Sequence, residues 1–375
     1  MKYRVSLLTM LLLSCSPADG VEPGERADAS AQDVGGSPGA DAEADAPSDT
    51  AFDATPDASL DVDAGPADVS VRIVDGELFV GGEPFFIQGV GWNPVPAGGT
   101  QANDLDFAGY VDQDSELMAQ AGLNVVRTYS AITDRAVLDT LHARGIYVLN
   151  TVYAFGGAPA ESVRADVSAV ADHPAILMWL IGNEWNYNGL YDGLSHEDSL
   201  LRLNEVAAII REVDGSHPIA TVYGEVPSVE TIEAMPLVDV WGLNVYRGIG
   251  FGDLFDVWEG RSDKPMFLAE FGADAWNANV AAEDQASQAE ATVTLIAGLG
   301  ANRVSAGGPC LGGALFEWAD EWWKDGSGSP AEHDVGGVAP GGGPHPDGTF
   351  NEEWWGLVEV DRTPRQAYRD LPSEW

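Results

Sequence analysis

Cysteine occurs only twice in 375 residues, at positions 15 and 310, which excludes a disulfide framework. No cluster of Cys and His has zinc-ligand spacing, so the sequence implies no metal, and no organic cofactor is implied either. Basic residues are scarce: 18 Lys and Arg stand against 60 Asp and Glu, a formal net charge of −42. Such a chain has no basic stripe with which to displace counterions from phosphates, which excludes nucleic acid as a partner. Attraction to an anionic membrane through surface charge is disfavoured for the same reason. The N-terminal apolar run, residues 5–13, is too short to span a bilayer. No glycine-rich phosphate loop follows the first strand-like run, which argues against a doubly wound dinucleotide-binding sheet.

What is present divides into three parts. Residues 1–15 pair a positive start (Lys2, Arg4) with a short apolar run that ends Leu12-Leu13-Ser14-Cys15. This resembles the bacterial lipobox, in which the cysteine becomes a lipidated N-terminus; an ordinary secretory signal is the alternative. The expectation is a protein of the bacterial cell envelope, held at the outer membrane, periplasm or cell surface through the Cys15 lipid alone. Residues 16–69 are mostly Ala, Asp, Gly, Pro and Ser, with fourteen acids and a single base, Arg26. Such a segment cannot bury enough surface to offset its ordering entropy, so it reads as a disordered, self-repelling tether. Residues 70–375 change texture abruptly and read as one folded domain, expected to be a monomer. Cys310 reads as a small buried hydrophobe.

The folded part begins with a hairpin over 71–86, with turns at Asp75-Gly76 and Gly81-Gly82. Eight short apolar runs follow, at 85–92, 123–129, 146–152, 175–182, 219–223, 238–246, 265–271 and 313–318. Between them lie segments of helical periodicity, such as 199–213 and 282–299. Eight β-α units in about 300 residues is the count of an α/β protein of the (β/α)8 TIM-barrel type, and runs apolar on both faces suit its parallel strands. In that architecture chemistry sits at the C-terminal ends of strands. The fourth run ends in Asn183-Glu184 and the seventh in Glu270; the second carries Arg127, the sixth Asn244-Val245-Tyr246 and the eighth Phe316-Glu317-Trp318. A carboxylate placed directly after an apolar strand is costly unless it is paired or used.

These residues resemble glycoside hydrolase clan A, near families 2 and 5. The resemblance rests on Gly182-Asn183-Glu184 after an apolar strand, on Ala269-Glu270-Phe271-Gly272, and on the tail 351–357 with Asp361-Arg362. It covers roughly 75–372, without the β-sandwich domains that precede the barrel in multidomain family 2 enzymes. It implies a retaining β-glycoside hydrolase acting on an oligo- or polysaccharide, of β-glucan or β-mannan type, by double displacement. Glu270 is then the nucleophile, kept ionised by Arg127 and hydrogen-bonded by Tyr246. Glu184 is the acid/base, with a pKa raised by its apolar strand and by Glu270. Asn183 suits the sugar 2-hydroxyl, and Trp318 the floor beneath the reacting ring. Trp92 and Trp185 are read as sugar platforms, with packing as the alternative. Glu184 as a helix cap and Glu270 as half of a structural ion pair are the plain alternatives. A transglycosylase with the same glutamates, or a non-catalytic carbohydrate-binding lipoprotein, are the rival functions.

Overall fold

The computed structural model describes residues 70–99, 104–324, 329, 332–335, 338–340, 347–372 and 375. The signal and tether segments, and most of the Gly/Pro-rich stretch 326–348, lie outside the described residues. The chain first makes a small antiparallel sheet of β1 (Val71–Val74), β2 (Glu77–Val80) and β3 (Glu83–Pro84). Asp75 and Gly76 both take positive φ, so β1 and β2 pair with a two-residue turn between Val74 and Glu77. Val71, Leu78 and Val80 pack with Ile87, Val125, Leu177 and Phe267, which sit at or near the starts of barrel strands. The expected hairpin is therefore present, and it plugs the end of the barrel opposite the strand C-termini.

The barrel strands are β4 (Ile87–Gly91), β5 (Val125–Arg127), β6 (Tyr147–Tyr153), β7 (Ile176–Ile181), β8 (Ile219–Gly224), β9 (Val240–Asn244) and β10 (Met266–Phe271). A minor hairpin of β11 (Trp276–Asn277) and β12 (Ala282–Glu283) precedes the closing strand, β13 (Cys310–Leu315). Each barrel strand pairs in parallel with its neighbours, and β13 joins β10 to β4. Helices on the outside bury their apolar stripes against the strands. The helix His196–Val213 buries Leu203, Val206, Ala207 and Ile210, and starts where the Ser195 hydroxyl accepts from the Asp198 amide. The helix Gln285–Ala301 buries Ala291, Leu295, Ile296 and Leu299 in the same way.

All eight expected strands are present, but the last lies three residues upstream of its expected place. The Gly312-Gly313 pair is what lets β13 close the barrel. A Cβ on Gly312 would stand 2.2 Å from the Ile87 carbonyl oxygen, and one on Gly313 2.9 Å from that of Leu268. The shift moves Phe316, Glu317 and Trp318 out of the strand and into the loop beyond its C-terminal end.

Candidate active site

Glu270 is the penultimate residue of β10, 7 % exposed, level with Asn244 on β9. Arg127, fully buried at the end of β5, donates through Nη1 to Glu270 Oε1 and to the Ala269 carbonyl at 3.2 Å. Two phenols converge on the same carboxylate: Tyr129 donates to Oε1 at 3.1 Å and Tyr246 to Oε2 at 2.9 Å. Burial drives both phenol pKa values well above their ordinary range, so both keep the proton they donate. The second arm of Arg127 donates from Nη2 to Asn183 Oδ1 at 2.7 Å, which also receives Asn244 Nδ2 at 3.3 Å. One guanidinium thus ties the end of β10 to the loop after β7.

Glu184 stands three residues beyond β7. Its backbone is left-handed, at φ 47°, a conformation that costs a non-glycine residue on the order of 1 kcal/mol. Its amide donates to the Val222 carbonyl at 3.1 Å, which fixes that turn against β8. The preceding Gly182 also has positive φ, and a Cβ there would stand 2.7 Å from Trp185 Cδ1. The side chain makes no capping bond to the short helix Trp185–Asn188 that it precedes, so the helix-cap alternative fails. Burial, and then the nearby charge of Glu270, lift its pKa to about 7, partly opposed by a hydrogen bond from Asn244. The two carboxyl groups thus sense each other, and one of them holds its proton up to neutral pH.

The expected residues Arg127, Asn183, Glu184, Tyr246 and Glu270 come together. The tryptophans do not join them. Trp92 is fully buried; its indole N–H donates to Asp114 at 2.9 Å, and Asp114 is held in turn by Arg362. Trp185 is fully buried; its N–H donates to Thr221 at 3.0 Å and its ring packs on His196 and Tyr223. Trp318 is 1 % exposed and packs against Tyr368. None of the three offers a face to a sugar. The aromatic beside the carboxylate pair is Phe316, whose ring meets Tyr129, Tyr246 and Trp355 edge-on at centroid distances of 6.5, 6.4 and 5.4 Å. Phe316 and Trp318 share a parity, so alternation alone could not choose between them; the position of the strand end could. Tyr129 was legible, because it follows Arg127 by two residues and so shares its face.

Sequence reasoning also missed a charged cluster after β13. Lys324 places its ammonium 4.4 Å above the Phe316 ring and 2.5 Å from Glu321 Oε2. Burial would lower its pKa, but Glu321, Glu317 and Glu352 outweigh it and hold the ammonium charged. Glu317 is almost fully buried, and burial followed by the charge of Glu321 pushes its pKa well up. Glu225, in the loop after β8, is gripped by Arg247, with Nε at 3.1 Å and Nη2 at 2.5 Å from its carboxylate oxygens. His196 is exposed, and its ring stacks on Trp185. Cys310 is buried, as expected. A separate hollow of about 290 Å³, lined by Ala97, Gly98, Trp322, His333 and Glu359, contains none of the paired carboxylates. Among the described residues no group of three or more His, Cys, Asp and Glu side chains could hold a metal ion.

Residues 156–290 match the family described as "Glycosyl hydrolases family 2, TIM barrel domain". A curated relative, a beta-glucuronidase from Pongo abelii, is 25 % identical over 234 residues, 55 % of this chain and 33 % of the relative. Among solved structures, a family 2 beta-galacturonidase from Eisenbergiella tayi bound to galacturonate is 18 % identical, with a TM-score of 0.58 over 80 % of this chain and 53 % of that one. A beta-D-glucuronidase from Dictyoglomus thermophilum is also 18 % identical, with a TM-score of 0.59 over 82 % of this chain and 54 % of that one. The chain therefore spans about a third of the curated relative and about half of the solved structures. At these identities the structural likeness is one of fold. Together the matches bear out the resemblance to glycoside hydrolase clan A, and to family 2 in particular.

Proposed function

We infer that this clan A barrel hydrolyses β-glycosides with retention, Glu270 acting as nucleophile and Glu184 as acid/base. The observation that carries the reading is the division of labour between the two carboxyls. Glu270 faces a buried guanidinium and two phenol donors, while Glu184 is protonated up to about pH 7. In the first step a Glu270 oxygen bonds to the anomeric carbon as the bond to the leaving oxygen breaks, and the Glu184 proton passes to that oxygen. The glycosyl ester removes the charge on Glu270, so Glu184 is the stronger acid in that intermediate and settles as a carboxylate. It then takes a proton from water as the water oxygen attacks, and Glu270 leaves. Arg127 and the two tyrosines stabilise the carboxylate that departs, and Asn183 is read as the group that meets a sugar hydroxyl.

For the sugar itself, charge favours a neutral ring over a uronate. Besides Arg127, Lys324 is the cation whose charge acts on the acid/base, and three carboxyl groups already act on it in turn. No Lys or Arg occurs from 325 to 361 to supply another. The uronide reading is supported by the names of the matched relatives, and Lys324 is the residue that would meet a sugar carboxylate. Neither observation selects β-glucan or β-mannan.

The test is a panel of 4-nitrophenyl β-glycosides of glucose, mannose, galactose and glucuronic acid, with β-glucan and β-mannan, given to the full chain. Turnover with the β-anomer formed first in proton NMR, reduced about 10⁴-fold in Glu270→Gln, is the expected result. An α-anomer formed first, or binding without turnover, overturns it, the latter in favour of a carbohydrate-binding protein. Longer products on oligosaccharides indicate transfer rather than hydrolysis. The lipobox further supports attachment to the cell envelope through Cys15, in which case Cys15→Ser releases the protein from the membrane fraction.

A further inference from the structure

The described surface exposes ten large hydrophobic side chains, and those that are aromatic, Phe155, Tyr187 and Tyr191, all fall on the loops after β6 and β7. They are 50 %, 66 % and 47 % exposed, in a chain that buries most of its tryptophans fully. Their placement is built rather than incidental. Tyr187 belongs to the short helix that begins directly after Glu184, and its ring lies on the backbone of Gly224 at the end of β8. A Cβ on Gly224 would stand 2.1 Å from Tyr187 Cε2, so only glycine lets the ring lie there. Leu190 and Tyr191 both take left-handed backbone, at φ 54°, which turns Leu190 fully inward and leaves Tyr191 outward. The Gly156 amide donates to the Leu190 carbonyl at 2.7 Å and pins the two loops together. Phe155 and Tyr191 then lie 5.2 Å apart with their planes tilted by 41°. The Tyr191 hydroxyl accepts from Asn183 Nδ2 at 3.2 Å, which makes this surface continuous with the carboxylate pair.

We propose that Phe155, Tyr187 and Tyr191 form a binding subsite for a pyranose ring of the leaving group, so that the group released with the Glu184 proton is itself a sugar of an oligo- or polysaccharide. This rests on the reading of Glu184 as the acid. The proton of Glu184 goes to the oxygen that remains with the leaving group, so the leaving group lies on the Glu184 side. Residues 185–191 continue directly from Glu184 and form the wall there. Aromatic rings with open faces, beside hydrogen-bonding groups, match the apolar C–H faces of a pyranose, which is apolar on its faces and polar at its rim. A simple aglycone without a ring would leave these three side chains exposed to water without function.

The experiment compares Phe155→Ala, Tyr187→Ala and the double variant in the full chain. The substrates are a β-linked tetrasaccharide of the sugar that the glycoside panel identifies, and the β-glycosyl fluoride of the same sugar. The fluoride has no ring to place beyond the cleavage point. The ratio of kcat/KM for tetrasaccharide to that for fluoride is expected to fall about tenfold for each ring removed, and Tyr187→Phe to restore it. Titration calorimetry with the tetrasaccharide, on the Glu270→Gln background, is expected to show a matching loss of affinity. An unchanged ratio, or unchanged tetrasaccharide affinity, overturns the subsite. Failure of the catalytic reading has a different signature: Glu270→Gln then retains the turnover of the parent on both substrates, or no turnover occurs. Where no turnover identifies the sugar, the calorimetric arm takes tetrasaccharides of β-glucan and β-mannan and decides the subsite in that case too.

Discussion

Two arginines in this barrel are completely buried, and each meets a carboxylate, yet they sit in opposite kinds of surroundings. Arg365 grips both oxygens of the buried Asp320, at 2.6 and 2.7 Å, and also reaches Glu283 at 2.8 Å and the Gly356 carbonyl at 2.9 Å. Arg127 shares its two arms between Glu270 and Asn183, on two different elements, and its Nε has no partner among the described residues. Asp320 is sealed in, whereas Glu270 retains some access and receives two phenols besides. A saturated pair ties the chain after β13 to the C-terminal segment. A pair with divided hydrogen bonding holds a carboxylate at a strand end while leaving it able to gain and lose a bond. Burial of an ion pair is therefore not the mark of a site; the distribution of its hydrogen bonds and its place at the strand ends are.

The contrast is sharpest under truncation. Arg127→Met is expected to lower kcat/KM about 10²–10⁴-fold, because losing a partner of a buried charge costs roughly 3–5 kcal/mol and here falls on the reacting group. Arg365→Met should place the same cost on folding, lowering Tm by about 5–10 °C while the folded fraction keeps its turnover number. Parallel thermal melts and initial rates on the two variants check this; a large rate loss in Arg365→Met would erase the distinction.

A second pair of carboxyls extends the comparison to pH. Burial raises both Glu184, to about 7, and Asp274, to about 8, and Asp274 accepts from the backbone amides of Trp276 and Asn351. Both groups bind a proton more tightly in the folded chain than in the unfolded one, so both make stability fall as pH rises from the unfolded value towards the folded one. Only Glu184 should also shape the rate. kcat/KM is expected to fall above pH about 7 as the acid loses its proton, and Glu184→Gln should abolish that limb. Asp274→Asn should flatten Tm against pH between 5 and 8 and leave the pH–rate profile where it was. Melting and rate profiles over pH 5–9 decide both.

The smallest effect concerns the aromatics. Trp92→Phe loses the bond to Asp114 and should lower Tm by a few degrees with rates within about twofold, while Phe316→Ala should cost about tenfold in kcat/KM. Equal rate losses in the two would restore Trp92 to the site.

The β-α rhythm, the hairpin, and the two glutamates with Arg127 and Tyr246 were legible in the sequence, since each depends on local pattern. Apolar runs of strand length, punctuated by turns, determine a strand wherever it goes, and a carboxylate directly after such a run is conspicuous by its cost. What only the tertiary structure decided was contact between distant segments. The Gly312-Gly313 strand needed the close approach of β4 and β10 to declare itself. The tryptophans needed their neighbours: Asp114, Thr221 and Tyr368 cover Trp92, Trp185 and Trp318, and none of these is adjacent in sequence. Exposure of Phe155, Tyr187 and Tyr191 likewise follows from left-handed turns and a glycine on another strand. A side chain's type is a property of the sequence; whether its face meets protein or solvent is settled by the closed barrel.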